Sequence, residues 1–345
     1  MERRMEQRME QQMERHEGTT SAAQPAPGIA GDASEGSRMR VRIGRLWIDH
    51  LTRAQALDEI QALVERGMGG AVFTPNVDHV VVADHDARLR GAYRRADLSF
   101  ADGAPVVWAS HLLRTPVPEK LSGSDLFEPI VARAAQCGWR VYLLGGAPGS
   151  APEAARRLEA RYGVTIVGID EARVSTEPEP VSDGEILARI RAARPDLILV
   201  GLGMPKQERW IDRMAPHFAP AVAIGTGACL DFVAGRVRRA PRWMSRVGLE
   251  WLFRLVHEPR RLWRRYLVRD PQFIGVVLRT WRLPLARRVQ WTRAAAVPPA
   301  QESPTVIPIT AGTPGSLRAV APTDRQRAAE LRRHSAVPGA RKVGS

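Results

Sequence analysis

Asp196-Leu197-Ile198-Leu199-Val200-Gly201-Leu202-Gly203-Met204-Pro205-Lys206-Gln207-Glu208 is the stretch that decides the fold. The run from Leu197 to Val200 is apolar throughout and too short for a helix, which marks a strand covered on both faces. Gly201 and Gly203 turn the chain. Pro205 then opens a helix, because a fixed φ and a missing N–H suit a first turn, and Glu208 there favours the helix dipole. The unit is strand, glycine turn, helix.

It recurs on both sides. Upstream, Val41 to Ile48 reads as a strand, followed by a helix from Thr52 to Arg66 with Ala56, Ile60 and Leu63 on one face. Gly70–Phe73 is a short strand ending at Thr74-Pro75-Asn76, with a helix predicted over 77–90, and Leu98–Ala101 is a strand ending at Asp102-Gly103. A helix over 126–136 leads to the strand Arg140–Leu144 and Gly145-Gly146, then a helix over 151–162 and the strand Val164–Gly168. Downstream of a helix over 185–194 come the quoted strand and helix, then the strand Ala221–Ile224 ending at Gly225. Such alternation predicts an α/β chain: a Rossmann-like parallel sheet core in two lobes, with helices on both faces. Sheets of this kind bind ligands beyond the carboxyl ends of their strands.

The segment 236–288 differs. It reads as helical, carries Arg throughout, and is punctuated by Trp243, Trp251, Trp263 and Trp281. The expected organisation is therefore a tail and linker over 1–38, an α/β core over 39–235, a basic helical C-terminal appendage over 236–288 and a second tail over 289–345. Pro, Ala, Ser, Thr and Gly without apolar periodicity dominate 17–38 and the chain beyond 293.

A formal net charge of +14 asks for an anionic partner: nucleic acid, acidic phospholipid or a polyphosphorylated substrate. Two cysteines, Cys137 and Cys229, are too few and too far apart for a disulfide framework or a zinc site. No secretory h-region follows Met1, and no apolar run reaches the roughly 18 residues of a spanning helix. The chain is expected in the cytoplasm, with any membrane contact peripheral.

Asp102-Gly103 places a carboxylate at a strand tip, where it can take a proton from an attacking hydroxyl or simply shape a turn. Thr74 and Asn76 offer neutral groups for sugar hydroxyls, or a cap for the next helix. Gly145, Gly146 and Gly149 open a helix whose amides favour phosphate, without the spacing of a dinucleotide fingerprint or a P-loop. Lys206, Gln207 and Glu208 bring charge and hydrogen bonds to the sheet's ligand edge. Asp84-His85-Asp86 has the D-x-D spacing of metal-dependent sugar transferases, but mid-helix its carboxylates point apart. The arginines of 236–288 suit an anionic membrane surface, with Trp and Leu at the headgroup boundary, or a clamp on phosphate.

Taken together these motifs resemble the WecG/TagA/CpsF family, glycosyltransferase family 26, from about Met39 to Leu285. The matching pieces are Thr74-Pro75-Asn76, Asp102-Gly103, Gly123-Ser124-Asp125-Leu126, Leu144-Gly145-Gly146, Pro205-Lys206-Gln207-Glu208, and Gly227 with Asp231. They continue through Arg239-Ala240-Pro241, Gly248-Leu249-Glu250-Trp251, Arg254-Leu255 and Glu258-Pro259-Arg260-Arg261 with Arg264. Lys120 stands where the family usually has Arg, which keeps the charge and loses the planar fork.

The resemblance implies an inverting transfer of an N-acetylmannosamine-type or related hexose from a UDP-sugar to a polyprenyl diphosphate-linked saccharide. It implies that Asp102 is the base, that Thr74, Asn76 and Gln207 line the sugar pocket, and that Arg254, Arg261 and Arg264 close over the diphosphate. Lys120, Gly145, Gly146, Lys206, Glu208 and Asp231 complete the expected substrate site, with no metal and no cofactor. Two other readings compete. A nucleic-acid-binding chain with an inactive core explains the charge but shows no recognition motif. An NAD-linked enzyme would use Asp170 after Gly149, but the glycine pattern is wrong.

Overall fold

The computed structural model describes residues 37–171, 180–237, 240–241, 244 and 248–293. The expected tails lie outside these residues, apart from their innermost parts, as do Arg239 and Trp243; of Arg261 only the backbone is described.

The first apolar run is not one strand. Ser37–Ile43 (β1) and Leu46–Asp49 (β2) pair antiparallel, because Gly44 turns the chain at φ +63°. A Cβ there would also come within 2.6 Å of Val276 Cγ1, so only glycine lets the hairpin and the last helix approach this closely.

Gly70–Phe73 (β3), Leu98–Ser99 (β4), Arg140–Gly145 (β5), Thr165–Asp170 (β6), Leu197–Gly201 (β7) and Val222–Gly225 (β8) form one continuous parallel sheet. Its order is β4-β3-β8-β7-β5-β6. Period-2 alternation sends Phe73, Tyr142, Leu144, Ile198 and Val200 to one apolar layer, and Val72, Leu143, Leu199, Val222 and Ile224 to the other. All are buried, at about 1.5–3 kcal/mol for each large side chain. That explains why the strands read as unbroken apolar runs rather than alternating ones.

The helices Arg53–Arg66 (α1), Val77–His85 (α2), Ala87–Arg95 (α3), Ala104–Leu112 (α4), Gly123–Cys137 (α5), Ser150–Tyr162 (α6), Pro180–Ala193 (α7), Lys206–Phe218 (α8) and Cys229–Val233 (α9) connect the strands. Thr52 caps α1 in a reciprocal box with Gln55, and Asn76 caps α2. The helix expected over 77–90 is two helices, because the Asp86 side chain accepts from Leu89 N at 3.0 Å and restarts the chain there. The D-x-D motif therefore sits at a helix break. Asp84 pairs with Arg279 and Arg45, and Asp86 with Arg209.

The segment beyond 236 is less separate than expected. Glu250–His257 (α10) and Pro259–Arg264 (α11) run into a π-turn over 265–269, and Gln272–Trp281 (α12) follows. Phe273, Val276 and Val277 of α12 join the core layer of Phe73. Val289–Arg293 (β9) then pairs with β1, giving an antiparallel sheet of order β2-β1-β9 and carrying regular structure past the expected boundary at 288. Apolar spacing over 236–288 does not show this, because the pairing partner lies at the far end of the sequence.

That small sheet is tied to the large one through a buried carboxylate. Asp49, at the end of β2, receives Arg38 Nε at 2.7 Å and Arg40 Nε at 3.2 Å. Its other oxygen accepts from Ser99 N of β4 at 2.7 Å.

Candidate active site

β5 leads outward to β6 while β7 leads back toward β8, so the connections leave these two paired strand tips in opposite directions, which is where such sheets bind ligands at the carboxyl edge. A cleft of about 910 Å³ opens there, walled on the far side by the segment 248–274. Thr74, Asn76, Asp102, Lys120, Gly146, Gln207, Asp231 and Arg254 line it.

Asp102 follows β4. Its amide donates to Pro75 O at 3.0 Å and Leu121 donates to Ala101 O at 2.8 Å, which pins the strand tip on both sides. Gly103, at φ +99°, then turns the chain away from the carboxylate. Burial in the cleft wall and the nearby charge of Glu250 raise the Asp102 carboxyl to about 6, against the opposing pull of Lys120 and Arg254. A carboxylate in that range suits proton abstraction near neutral pH. Changing Glu250 to Gln is expected to lower the Asp102 value, so the acidic limb of kcat/KM moves to lower pH. Lys120→Met is expected to move it upward. Rate profiles from acid to mildly alkaline pH check both directions.

Lys120 reaches Asp125 at 2.7 Å, at the start of α5. Gly123 in that turn leaves room for Thr74, whose Oγ1 would lie 3.3 Å from any added Cβ. Arg254 sits 3.4 Å from Glu250 and lies over the Phe232 ring at 5.3 Å.

Several expected site residues stand elsewhere. Gly145 lies beneath the cleft, where a Cβ would meet Gly201 O at 2.7 Å. Its role is close packing of two strand ends. Lys206 is exposed and does not line the cleft, because it opens α8 on the solvent face. Glu208 is fully buried and cannot touch a ligand in the cleft. Arg264 is exposed, 5.8 Å above the Trp263 ring, and is not in the cleft wall. The Arg261 side chain lies outside the described residues.

The glycine-rich turn after β5 is not a phosphate cradle. Gly146 N donates to Gly201 O, Ala147 N to Asp231 Oδ1 at 2.8 Å, Gly149 N to Glu171 Oε1 at 2.6 Å and Ser150 N to Ala147 O. Pro148 has no donor. With those amides occupied by the chain's own oxygens, the helix start has little left for a phosphate. Asp170, the acidic residue an NAD reading would use, is paired with Arg189 at 2.7 Å.

Two features of the cleft carry no signal in the sequence. Arg265 projects from the π-turn into the cleft, 3.1 Å from Asn76 Oδ1 and 3.2 Å from Asp78. A run such as Arg264-Arg265 gives no hint of which guanidinium faces inward, since the turn's local winding decides it. Asp270, beside it, also lines the cleft; burial lifts its carboxyl to about 6, with Arg265 pulling the other way and Asp78 adding to the rise. His79 is the second feature. It follows Asn76 by three residues and so lies over the same turn of helix, a spacing the sequence offers without any motif to flag it.

A carboxylate at a strand tip, two carboxamides and two guanidinium groups thus line one cleft. Residues 41–287 match the glycosyl transferase WecG/TagA/CpsF family, and the chain belongs to that family of glycosyltransferases. It is similar to N-acetylglucosaminyldiphosphoundecaprenol N-acetyl-beta-D-mannosaminyltransferase of Bacillus spizizenii, with 33% identity over 217 residues. The matched region covers 63% of this chain and 81% of that one.

Proposed function

We propose that this chain transfers an N-acetylmannosamine-type hexose from its UDP donor to a polyprenyl diphosphate-linked saccharide, with inversion at the anomeric carbon and without a metal ion. The observation that carries this reading is Asp102, raised to about 6 and lining a cleft that Arg254 and Lys120 also line. Asp102 takes the proton of an acceptor hydroxyl as that oxygen bonds to the anomeric carbon. The bond from that carbon to the β-phosphate oxygen breaks, and UDP leaves with the electron pair. One displacement needs one carboxylate, so no second nucleophile is required.

Negative charge gathers on the departing diphosphate and must be met by fixed cations. Arg254 and Arg265, which line the cleft, are the candidates for this, and Arg261 is retained from the family motif. Asp231, anchored by Ala147 N, is the candidate for the ribose hydroxyls. Thr74, Asn76 and Gln207 take the donor sugar.

The acceptor carries a polyprenyl chain, and the C-terminal helices offer it a surface. Trp251, Trp263, Leu267, Val268, Ile274, Leu278 and Trp281 are exposed among arginines, the composition of an interfacial element on anionic lipid. No helix among the described residues is long and apolar enough to cross a membrane. Peripheral docking at the inner face of the cytoplasmic membrane follows from this reading.

The test is a panel of UDP-hexoses and UDP-N-acetylhexosamines with a synthetic polyprenyl diphosphate acceptor. Transfer from UDP-N-acetylmannosamine, lost when the acceptor lacks its diphosphate, is the expected result. Binding of nucleic acid with no turnover of any UDP-sugar would overturn the proposal.

A further inference from the structure

Glu208 and His79 are both buried, Glu208 completely, yet both contact residues of the sugar pocket. Glu208 Oε1 accepts from Gln207 Nε2 at 2.7 Å and lies 3.2 Å from His79 Nε2. On its other side His79 Nδ1 lies 2.9 Å from Asn76 Oδ1 and 3.3 Å from Asn76 N, donating to the side chain or accepting from the backbone N–H according to its tautomer, and holds Asn76 either way. The Tyr93 ring stands edge-on to the imidazole, with centroids 6.2 Å apart and planes at 86°, which fixes its tilt. A chain of contacts thus runs from Gln207 through Glu208 and His79 to Asn76.

Its effect on the carboxamides can be read end by end. Asn76 Oδ1 also accepts from Asp78 N at 3.1 Å and from Arg265 at 3.1 Å. With that oxygen occupied, Asn76 is left with its NH₂ for a ligand. Gln207 gives one N–H to Glu208, and its oxygen accepts from Gly227 N at 3.0 Å. Gly225 backs the same amide, since a Cβ there would lie 3.0 Å from Gln207 Nε2. A carboxamide turned end for end would swap donor for acceptor in the pocket, and the bond geometry forbids that swap at both positions.

We propose that the buried His79–Glu208 pair is the positioning device of the donor-sugar pocket, locking Asn76 and Gln207 so that each offers an N–H to an acceptor oxygen of the sugar. The acceptor is a hydroxyl or acylamino carbonyl oxygen. Glu208, wholly buried, does not touch the substrate, and His79, which shows only a small part of its surface to the cleft, is engaged by Asn76 and Glu208; each acts through the residue it holds. The proposal rests on the donor-sugar reading of this cleft.

The test compares Glu208→Met with Glu208→Gln and His79→Leu in the full chain. Methionine keeps the volume and removes the acceptor oxygen, leaving Gln207 and His79 without their shared partner. Expected for Glu208→Met and His79→Leu is a roughly 100-fold or greater fall in kcat/KM for the UDP-sugar, with UDP affinity by calorimetry within about threefold of wild type. Glutamine retains one oxygen, which can serve either neighbour, and is expected to hold the loss near tenfold. Wild-type kcat/KM in Glu208→Met would overturn the proposal, as would equal losses in the Gln and Met variants or UDP affinity falling in step with turnover.

A second readout does not depend on turnover. The side-chain NH₂ resonances of Asn76 and Gln207 should be distinct and slow to exchange in wild type, and averaged in Glu208→Met. If the wild-type chain transferred no sugar from any UDP donor, the proposed function would fall. The amide resonances would still decide for or against the locking pair.

Discussion

Asp102→Asn abolishes most turnover while leaving the nucleotide bound: kcat is expected to fall by about 10³-fold or more, within the range of general-base catalysis. UDP affinity is expected to stay within about threefold, since in the proposed reaction the base acts on the acceptor hydroxyl in the transition state and makes no demand on the bound nucleotide. The same substitution should stabilise the fold at neutral and alkaline pH. The Asp102 carboxyl stands at about 6 in the folded chain, above its ordinary value of 3.8, so the native state binds the proton more tightly than the unfolded one. Ionised Asp102 therefore costs stability, on the order of 3 kcal/mol before solvent screening. The cost is absent below about pH 4 and fully present above about pH 6. The Asp102→Asn variant, with no charge to bury, should melt at a higher temperature than wild type in mild alkali and at the same temperature in acid. A variant that turned over at the wild-type rate would remove Asp102 from the chemistry.

Asp49→Ala is expected to cost about 3–5 kcal/mol of folding stability, the usual penalty for removing one partner of a buried ion pair. Asp49 is almost wholly buried and is shared by Arg38 and Arg40. Burial raises its carboxyl above the ordinary range even though both guanidinium groups pull it down. Without it, Arg40 loses the partner that offsets its own burial, and Ser99 N at the edge of the large sheet loses its acceptor. Asp49→Asn, which can still accept from Ser99, should be milder. Urea midpoints measure both, and an Asp49→Ala variant within about 1 kcal/mol of wild type would show that Asp49 does not hold the two sheets together. Because β4 leads directly to Asp102, the Ala variant should also lose activity at temperatures where it is still folded.

Much of this fold is legible because a parallel sheet covered on both faces leaves a local trace: Leu197–Val200 and Val141–Leu144 are apolar without interruption and end in glycine. The polar residues at strand tips and in the helix starts that follow them obey the same rule, which is why Thr74, Asn76, Asp102, Gln207 and Asp231 all line the cleft. What could not be read is set by distant partners. The hairpin at Gly44 exists to meet Val276, and β9 exists to pair with β1. The amides of the glycine-rich turn look free in sequence, and are filled by Asp231 and Glu171 from 84 and 22 residues away. Which arginine enters the cleft depends on a π-turn that no spacing announces, so the sequence points to Arg264 where Arg265 stands. Glu208 reads as a substrate contact because it is polar and sits at the sheet's ligand edge. A polar residue on that edge can equally face inward and serve its neighbour, as Glu208 does for Gln207.

The removal of 236–345 as a separable clamp is not a clean experiment on this chain, since Phe273, Val276, Val277 and β9 belong to the folded core. A single substitution at Arg254 tests the proposed diphosphate contact instead.

The pH dependence of kcat/KM with a lipid diphosphate acceptor, measured in excess chelator, is the most direct test that one carboxylate and fixed guanidinium groups suffice for the transfer. The expected result is full activity with chelator present and a single acidic limb centred near pH 6, absent in Asp102→Asn. A rate abolished by the chelator and restored by a divalent cation, or an acidic limb that persists unchanged without the Asp102 carboxylate, would contradict it.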